Sequence, residues 1–297
     1  MKSLLQYIIE ARGVVTGEFD WSELVKVIID TISGGKGIKY DIPTKDLPSW
    51  IDSLSIHIIP GGLASYEYEQ SSMVGDKLKI IVCTPPGKES SWYFSALNHE
   101  LQHAFDDWIA HTRRGKGAFD DKYCISTGYE DDDMSWGELY DLVTRPQQCT
   151  FDHIFNILKQ STYALHQSEV NAYLREFDIY MKELEILGKT EWDFSDIVEH
   201  ADNGMCPLVC LNCLSNLKSN INKLDVKDND WPWVAGAVNS RWTKEFLGHQ
   251  VNGTGKDVII KIVDLLFKIY GNKISRRYSR VLQDHNIVVK KQPEWFK

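Results

Sequence analysis

The chain predicts an α+β fold in which a small, mainly antiparallel sheet lies beside helices and the C-terminal third is all helical. Three observations carry that expectation. Short runs with strand character fall between Leu54 and Cys83, separated by turns rich in Pro and Gly, and helical spacing of apolar residues takes over from Ser90. The composition, 43% hydrophobic and 11% aromatic with 25% charged residues over 297 positions, is that of a folded protein. A chain of this length buries roughly three-quarters of the surface its unfolded form exposes, so a core needs no disulfides and intrinsic disorder is excluded.

In chain order, Leu4, Leu5, Ile8 and Ile9 share one face of a first helix. A second runs from about Trp21 to Ile32 behind Asp20 as cap and ends at Ser33-Gly34-Gly35. Three strands are predicted. Leu54–Ile59 stops at Pro60-Gly61-Gly62, Ala64–Glu69 alternates small or aromatic residues with polar ones, and Leu78–Cys83 stops at Pro85-Pro86-Gly87. From Ser90 to about Thr112 the pattern is helical. Residues 113–150 mix Gly, Asp and aromatics with no sustained period, which reads as a long surface insertion. A helix over Thr162–Leu187 follows, and three or four more are expected from Cys206 onward. The expected organisation is an N-terminal helical segment over 1–35, a core over 36–190, and a helical region over 191–297 packed on that core.

Charge and cysteine usage narrow the function classes. Lys and Arg number 33 against 42 Asp and Glu, a net charge of −9, and the basic pairs Arg113-Arg114 and Arg276-Arg277 are short and separated; nucleic acid is not an expected partner. No run approaches the ~18 apolar residues of a membrane span. The N-terminus carries one Lys and then Leu4, Leu5, Ile8 and Ile9 before Glu10, too short and too interrupted for a secretory signal. The expectation is a cytoplasmic protein with no membrane partner, whose six cysteines at 83, 124, 149, 206, 210 and 213 are thiols or metal ligands.

His99-Glu100-Leu101-Gln102-His103 places two histidines four residues apart inside a predicted helix. Positions i and i+4 lie only about 40° apart on the helix surface, so both imidazoles can reach one ion. With His99 at 0°, Phe94, Leu97, Leu101, Ala104, Phe105 and Trp108 fall between about 140° and 240°. Both histidines point away from that apolar stripe. A cleft-floor metal site requires this arrangement, and a solvated face with two idle histidines shows the same pattern.

A catalytic zinc takes three protein ligands and keeps one position open. The helix over Thr162–Leu187 offers the third. With Glu169 at 0°, Val170, Tyr173, Phe177, Tyr180, Met181 and Leu184 cluster between about 20° and 120°, and Gln167, Asn171, Arg175, Asp178 and Lys182 between about 160° and 240°. Glu169 therefore stands at the edge of the apolar stripe, where an ionised carboxylate needs a cation or strong donors. Satisfaction by backbone N–H groups and the helix dipole is the alternative.

The run from His99 to Asp107 resembles the active-site helix of the thermolysin-like metallopeptidases, the gluzincins, in which a Glu on a later helix completes the zinc site. Ser168-Glu169-Val170-Asn171-Ala172 is similar to that later element, and Leu78–Cys83 fits the family's strand before the helix. The resemblance spans about residues 76–186. It implies a zincin-type core with His99, His103 and Glu169 as zinc ligands, Glu100 as general base and Asp107 as a support behind the ligands. It also implies a zinc-dependent endopeptidase acting on protein or peptide substrates through a metal-activated water, with Glu100 carrying its proton to the leaving amine. The family often has an acidic residue four positions after the ligand Glu, where this chain has Tyr173. The donor to the oxyanion stays open among His166, Tyr173, His200 and His249. Asp106 and Ile109 stand where a metzincin has Gly and a third His.

Two further patterns compete. Cys206, Cys210 and Cys213 have the Cys-x3-Cys-x2-Cys spacing of radical SAM enzymes, but they lie late in the chain, with too little sequence left to form a barrel. At i, i+4 and i+7 on an apolar face they read as small core residues, with a second, structural zinc involving His200 as the alternative. Met1–Ala11 is similar to the head-targeting peptides of internal proteins packaged by large tailed bacteriophages, which are clipped after Ile/Leu-x-Glu, and Ile8-Ile9-Glu10 matches that pattern. This implies a targeting peptide over 1–10, phage head proteins as partners and the virion as a location; an amphipathic helix packed on the body is the other reading. The alternative to a peptidase is accordingly a non-catalytic structural or virion-packaged protein that retains a zincin fold.

Overall fold

Alternation of apolar and polar residues between turn-forming clusters shapes the first part of the chain. The computed structural model describes residues 38–42, 51–60, 65–69, 76–84, 96–103, 106, 136–199, 201, 204–227, 230–238, 251–253 and 255–296. The helices expected over Leu4–Ile9 and Trp21–Ile32, and with them the targeting segment over 1–10, lie outside these residues. The chain divides into two units, Met1–Asp120 and Asp121–Lys297.

The first unit contains β1 (Ile38–Ile42), β2 (Ile51–Pro60), β3 (Ser65–Glu69) and β4 (Asp76–Thr84), followed by helix α1 over 96–103. The strands form one sheet in the order β1-β2-β4-β3. β1 is antiparallel to β2 and β3 to β4, while the central and longest pairing, β2 with β4, is parallel. Two of the three pairings are thus antiparallel, and the parallel one between them makes the sheet mixed. After β2 the chain lays down β3 at the edge and returns as β4 in between; the turn at Pro60-Gly61-Gly62 shows that a strand ends but not which strand becomes its neighbour. β1 was not expected, its alternation of Ile38, Tyr40 and Ile42 spanning five residues only.

The second unit is built from α2 (Trp136–Thr144), α3 (Phe151–Ala164), α4 (Gln167–Ile186), α5 (Cys206–Asn220), α6 (Trp231–Val238), α7 (Lys256–Leu266) and α8 (Asn272–Asp284). α5 is its centre. Nine of its fifteen residues are buried, from Cys206 to Leu217, and α2, α3, α4, α7 and α8 all pack on it. A helix apolar almost all round has to be enclosed in this way. An aromatic cluster closes the far end of the core: Phe177 of α4 lies 4.8 Å from Tyr278 of α8 and 6.0 Å from Trp192, and Phe194 lies 4.9 Å from Phe296.

Three expectations are corrected here. α2 lies inside the presumed insertion over 113–150, where Leu139 and Val143, one turn apart, are fully buried with Cys149. The single helix over Thr162–Leu187 is two helices, because His166 adopts an extended conformation and becomes the N-cap of α4. Helices on either side of the expected boundary at 190/191 contribute to one core. The C-terminal third is not all helical: β6 (Val288–Lys290) pairs in parallel with β5 (Glu191–Asp193). Three-residue strands leave almost no periodic signal.

Two backbone features are local necessities. Gly204 has φ +81°, and a Cβ there would stand 2.1 Å from the carbonyl oxygen of Tyr173 and 2.3 Å from the nitrogen of Phe177; the segment leading into α5 approaches α4 closer than any side chain permits. The hydroxyl of Tyr278 donates to the Gly204 carbonyl at 2.6 Å. Between α7 and α8 the helix continues through a π turn at Phe267–Gly271. No helix of the described residues is long and apolar enough to cross a membrane.

Candidate metal centre

α1 places His99 and His103 one turn apart, with ring centroids separated by 4.8 Å. Leu97 and Leu101 occupy the opposite side and are buried, as the helical phase predicts. The histidines are buried as well, at 7% and 5% exposure, so the solvated face with idle histidines is excluded. Asn98 and Glu100 are also buried, and Gln102 donates to Asp106 at 2.9 Å along the helix. Four buried polar side chains on two turns are costly unless each has a polar or ionic partner.

Glu169 enters from α4. It is the third residue of that helix, behind the N-cap His166, and only 7% exposed. The first turn favours a carboxylate, because unpaired backbone N–H groups leave a partial positive charge there. His99, His103 and Glu169 each offer one ligand atom, and these atoms lie within 4.8 Å of one another. Among the described residues this is the group able to hold a metal ion. Ligands about 2.1 Å from a tetrahedral ion stand about 3.4 Å apart, so closure of the group around zinc takes small side-chain adjustments. Two imidazoles and a carboxylate are a donor set of catalytic zinc sites. Glu100 stands outside the group, directly after His99 in sequence.

The remaining candidates separate. His166 Nδ1 lies 2.6 Å from the hydroxyl of Ser168, beside Glu169 in sequence. Tyr173 turns to α5, where it forms a hydrogen bond with the Cys206 thiol. Asp107, His200 and His249 lie outside the described residues.

The late cysteines are core thiols. Cys206 is 5% exposed, and Cys210 and Cys213 are fully enclosed. Burial pushes all three thiols well above their ordinary range; for Cys206 and Cys210 the hydrogen bonds from Tyr173 and Ser161 oppose that shift without cancelling it. Burial likewise raises Cys149 to about 11. The three late cysteines form no metal-holding group among the described residues.

One buried carboxylate escaped the sequence reading. Glu176 is 6% exposed, seven residues after Glu169 and thus only about 20° away on the same face of α4. Its charge, like that of Glu169, acts on the Cys206 thiol, and it also reaches the Tyr278 hydroxyl. The i, i+7 spacing was the available signal. No family model matches the sequence, and no curated protein or solved structure is significantly similar to it.

Proposed function

We propose that His99, His103 and Glu169 hold one zinc ion and that the protein is a zinc-dependent endopeptidase of the gluzincin kind with Glu100 as general base. The observation that carries this reading is the approach of the three buried ligand atoms to within 4.8 Å. When bound, zinc acidifies a water and polarises the scissile carbonyl. The two histidines, one turn apart on a helix anchored by Leu97 and Leu101, fix two directions of the site, and Glu169 fixes the third from the electropositive first turn of α4. Glu100 sits about 100° round the helix from His99, buried, where a carboxylate can take the proton of the attacking water and deliver it to the leaving amine. The substrates of this reading are proteins or peptides, phage head proteins among them if residues 1–10 act as a targeting peptide.

One observation favours a second reading. All three ligands and Glu100 are only 5–7% exposed, and a catalytic zinc needs an open position that a structural zinc does not. On that reading the metal ties helices together and the protein is a non-catalytic, structural or virion-packaged one.

Metal analysis of the purified chain and cleavage of an unfolded protein such as casein decide between them. The peptidase reading expects about one zinc per chain and turnover that Glu100→Gln abolishes while the zinc stays bound. Zinc without turnover, with a melting temperature that falls on chelation, establishes the second reading. A chain without zinc overturns both.

A further inference from the structure

The C-terminal segment after α8 is fastened at several places, and one of them depends on a proton. α8 ends in a Schellman turn: His285 is its C-cap, Asn286 takes φ +56°, and the amides of Asn286 and Ile287 donate to the carbonyls of Gln283 at 3.0 Å and Leu282 at 2.8 Å. The chain then runs through β6 to Trp295 and Phe296, which pack on Phe194 at 5.6 and 4.9 Å. Lys290 pairs with Glu191 and Lys291 with Asp193; the Val288 amide donates to the Thr190 carbonyl, and the buried Ser275 hydroxyl to the Phe296 carbonyl, each at 2.8 Å. The remaining fastening is His285 itself. Its Nε2 lies 2.9 Å from Asp178 Oδ1 and its Nδ1 2.8 Å from Glu185 Oε2, both on α4. A carboxylate only accepts, so both ring nitrogens must donate, which the imidazolium alone can do. The side chain is 11% exposed, too enclosed for water to replace a lost bond freely.

We propose that His285 is a proton-dependent clasp for the C-terminal segment: at pH 6 the imidazolium ties the end of α8 to α4 and residues 286–296 stay docked, and at alkaline pH the tie is lost and the segment opens more often from β5 and Phe194. The charges around the ring support this direction. α4 brings Asp178 and Glu185, with Lys182 about 40° round the helix from Asp178, and Arg175, whose charge acts on Asp178. α8 adds Asp284 beside the ring and the partial negative charge of its C-terminus, and Lys290 of β6 is already paired with Glu191. Burial works against the cation, but the hydrogen bonds from Glu185 and Asp178 outweigh it and hold the imidazole above its ordinary range. The ion pairs of the segment stay charged from pH 6 to 9, where carboxylates and lysines do not ordinarily titrate. Asp193 is held low, at about 2, by Lys291 and Ser195, and Lys291 is raised in turn. Among these fastenings the clasp is therefore the one that a change of pH in that window releases.

Hydrogen exchange by mass spectrometry on the full chain, at pH 6 and pH 9 and corrected for the intrinsic pH dependence of exchange, tests the clasp. The amides of 286–296 are expected to be less protected than those of the enclosed helix α5, because they open without the whole fold. Their protection is expected to fall by about 2- to 5-fold from pH 6 to pH 9, the range of a partly exposed ion pair. His285→Gln, which carries no titrating ring, should show the lower protection at both pH values. Asp178→Asn with Glu185→Gln leaves the ring without the acceptors that demand a cation and should flatten the response likewise; it carries the comparison if His285→Gln does not fold. Equal protection in the segment and in α5, no change between pH 6 and pH 9 in the parent, or a response that survives in the variants would overturn the proposal.

Discussion

Two sets of buried ligand-type side chains occupy this protein, and they behave differently. His99, His103 and Glu169 bring three ligand atoms within 4.8 Å. Cys206, Cys210 and Cys213 have a spacing just as suggestive, yet they are neutral thiols in an apolar helix core, their ionisation suppressed by burial. The difference is one of company. The histidine pair meets a carboxylate from another helix, whereas the cysteines meet Tyr173, Ser161 and aliphatic side chains, with Glu169 and Glu176 acting on Cys206 through their charge, and among the described residues they form no metal-holding group. Spacing along one helix is therefore half of a metal motif, and the other half is what a second element delivers.

The largest effect should come from the histidine side of this contrast. His103→Ala removes one of the three proposed ligands and, on the zinc reading, should lower zinc affinity by well over the ~10–100-fold that an outer-shell partner costs, read by competition with a chromophoric chelator. The parallel changes Cys210→Ala and Cys213→Ala should leave metal content untouched. Zinc lost from a cysteine variant would break the contrast.

Next in size is the seam between the cysteine helix and α4. Gly204→Ala places a methyl group against the Tyr173 carbonyl and the Phe177 nitrogen at a positive φ, and should cost about 3 kcal/mol or more in denaturant unfolding. Backbone cannot yield there as a flexible side chain would. A variant as stable as the parent would show that this approach is not fixed.

Smaller effects sharpen the reading of the cysteines as core residues. Cys213→Ala should destabilise by about 1 kcal/mol and Cys213→Ser by about 2, since the hydroxyl enters a site fully closed to water. The order Ala above Ser is the test. A catalytic or ligating cysteine would tolerate neither change in function, whereas these should alter the melting temperature alone.

The smallest effect is a titration on the far side of α4. His285 sits between Asp178, at 2.9 Å, and Glu185, at 2.8 Å. Burial alone would lower its pKa, but the two carboxylate hydrogen bonds outweigh burial and raise it above the ordinary 6.5. The protonated form is thus favoured by folding, so its contribution is complete below about pH 6.5 and fades as pH rises through the folded value. Glu185 is 48% exposed, which keeps the gain below about 1 kcal/mol. A pH series of melting temperatures should decline across that window and flatten in His285→Gln.

Much of the metal group was legible because helical phase is a strong signal. Two histidines four apart, and a glutamate at the border of an apolar stripe, need only the 3.6-residue repeat to be placed. Glu176 was missed although it lies on the same face of α4 as Glu169, because a glutamate within a predicted helix draws notice only when a partner is suspected. The break at His166 was missed because neither Pro nor Gly marks it. Strand pairing was beyond reach for another reason: β4 enters between β2 and β3, and no local pattern encodes the arrival of a later strand between two earlier ones. β5 and β6, three residues each and about a hundred positions apart, form only once the core has brought them together.

The π turn at Phe267–Gly271 acts as a phase adjuster between two amphipathic helices. Before it, the core takes Ile259, Ile262 and Leu266; after it, Gly271, Ile274 and Tyr278. An uninterrupted α-helix would carry the first series on through positions 270, 273 and 277, turning Lys273 and Arg277 inward and leaving Ile274 and Tyr278 to water. One extra residue in the turn rotates everything downstream by about 100°. Deleting a single residue there would thus turn Lys273 and Arg277 toward the core, and Lys273, Arg276 and Arg280 stand exposed because the helix is, at that one point, a residue too long.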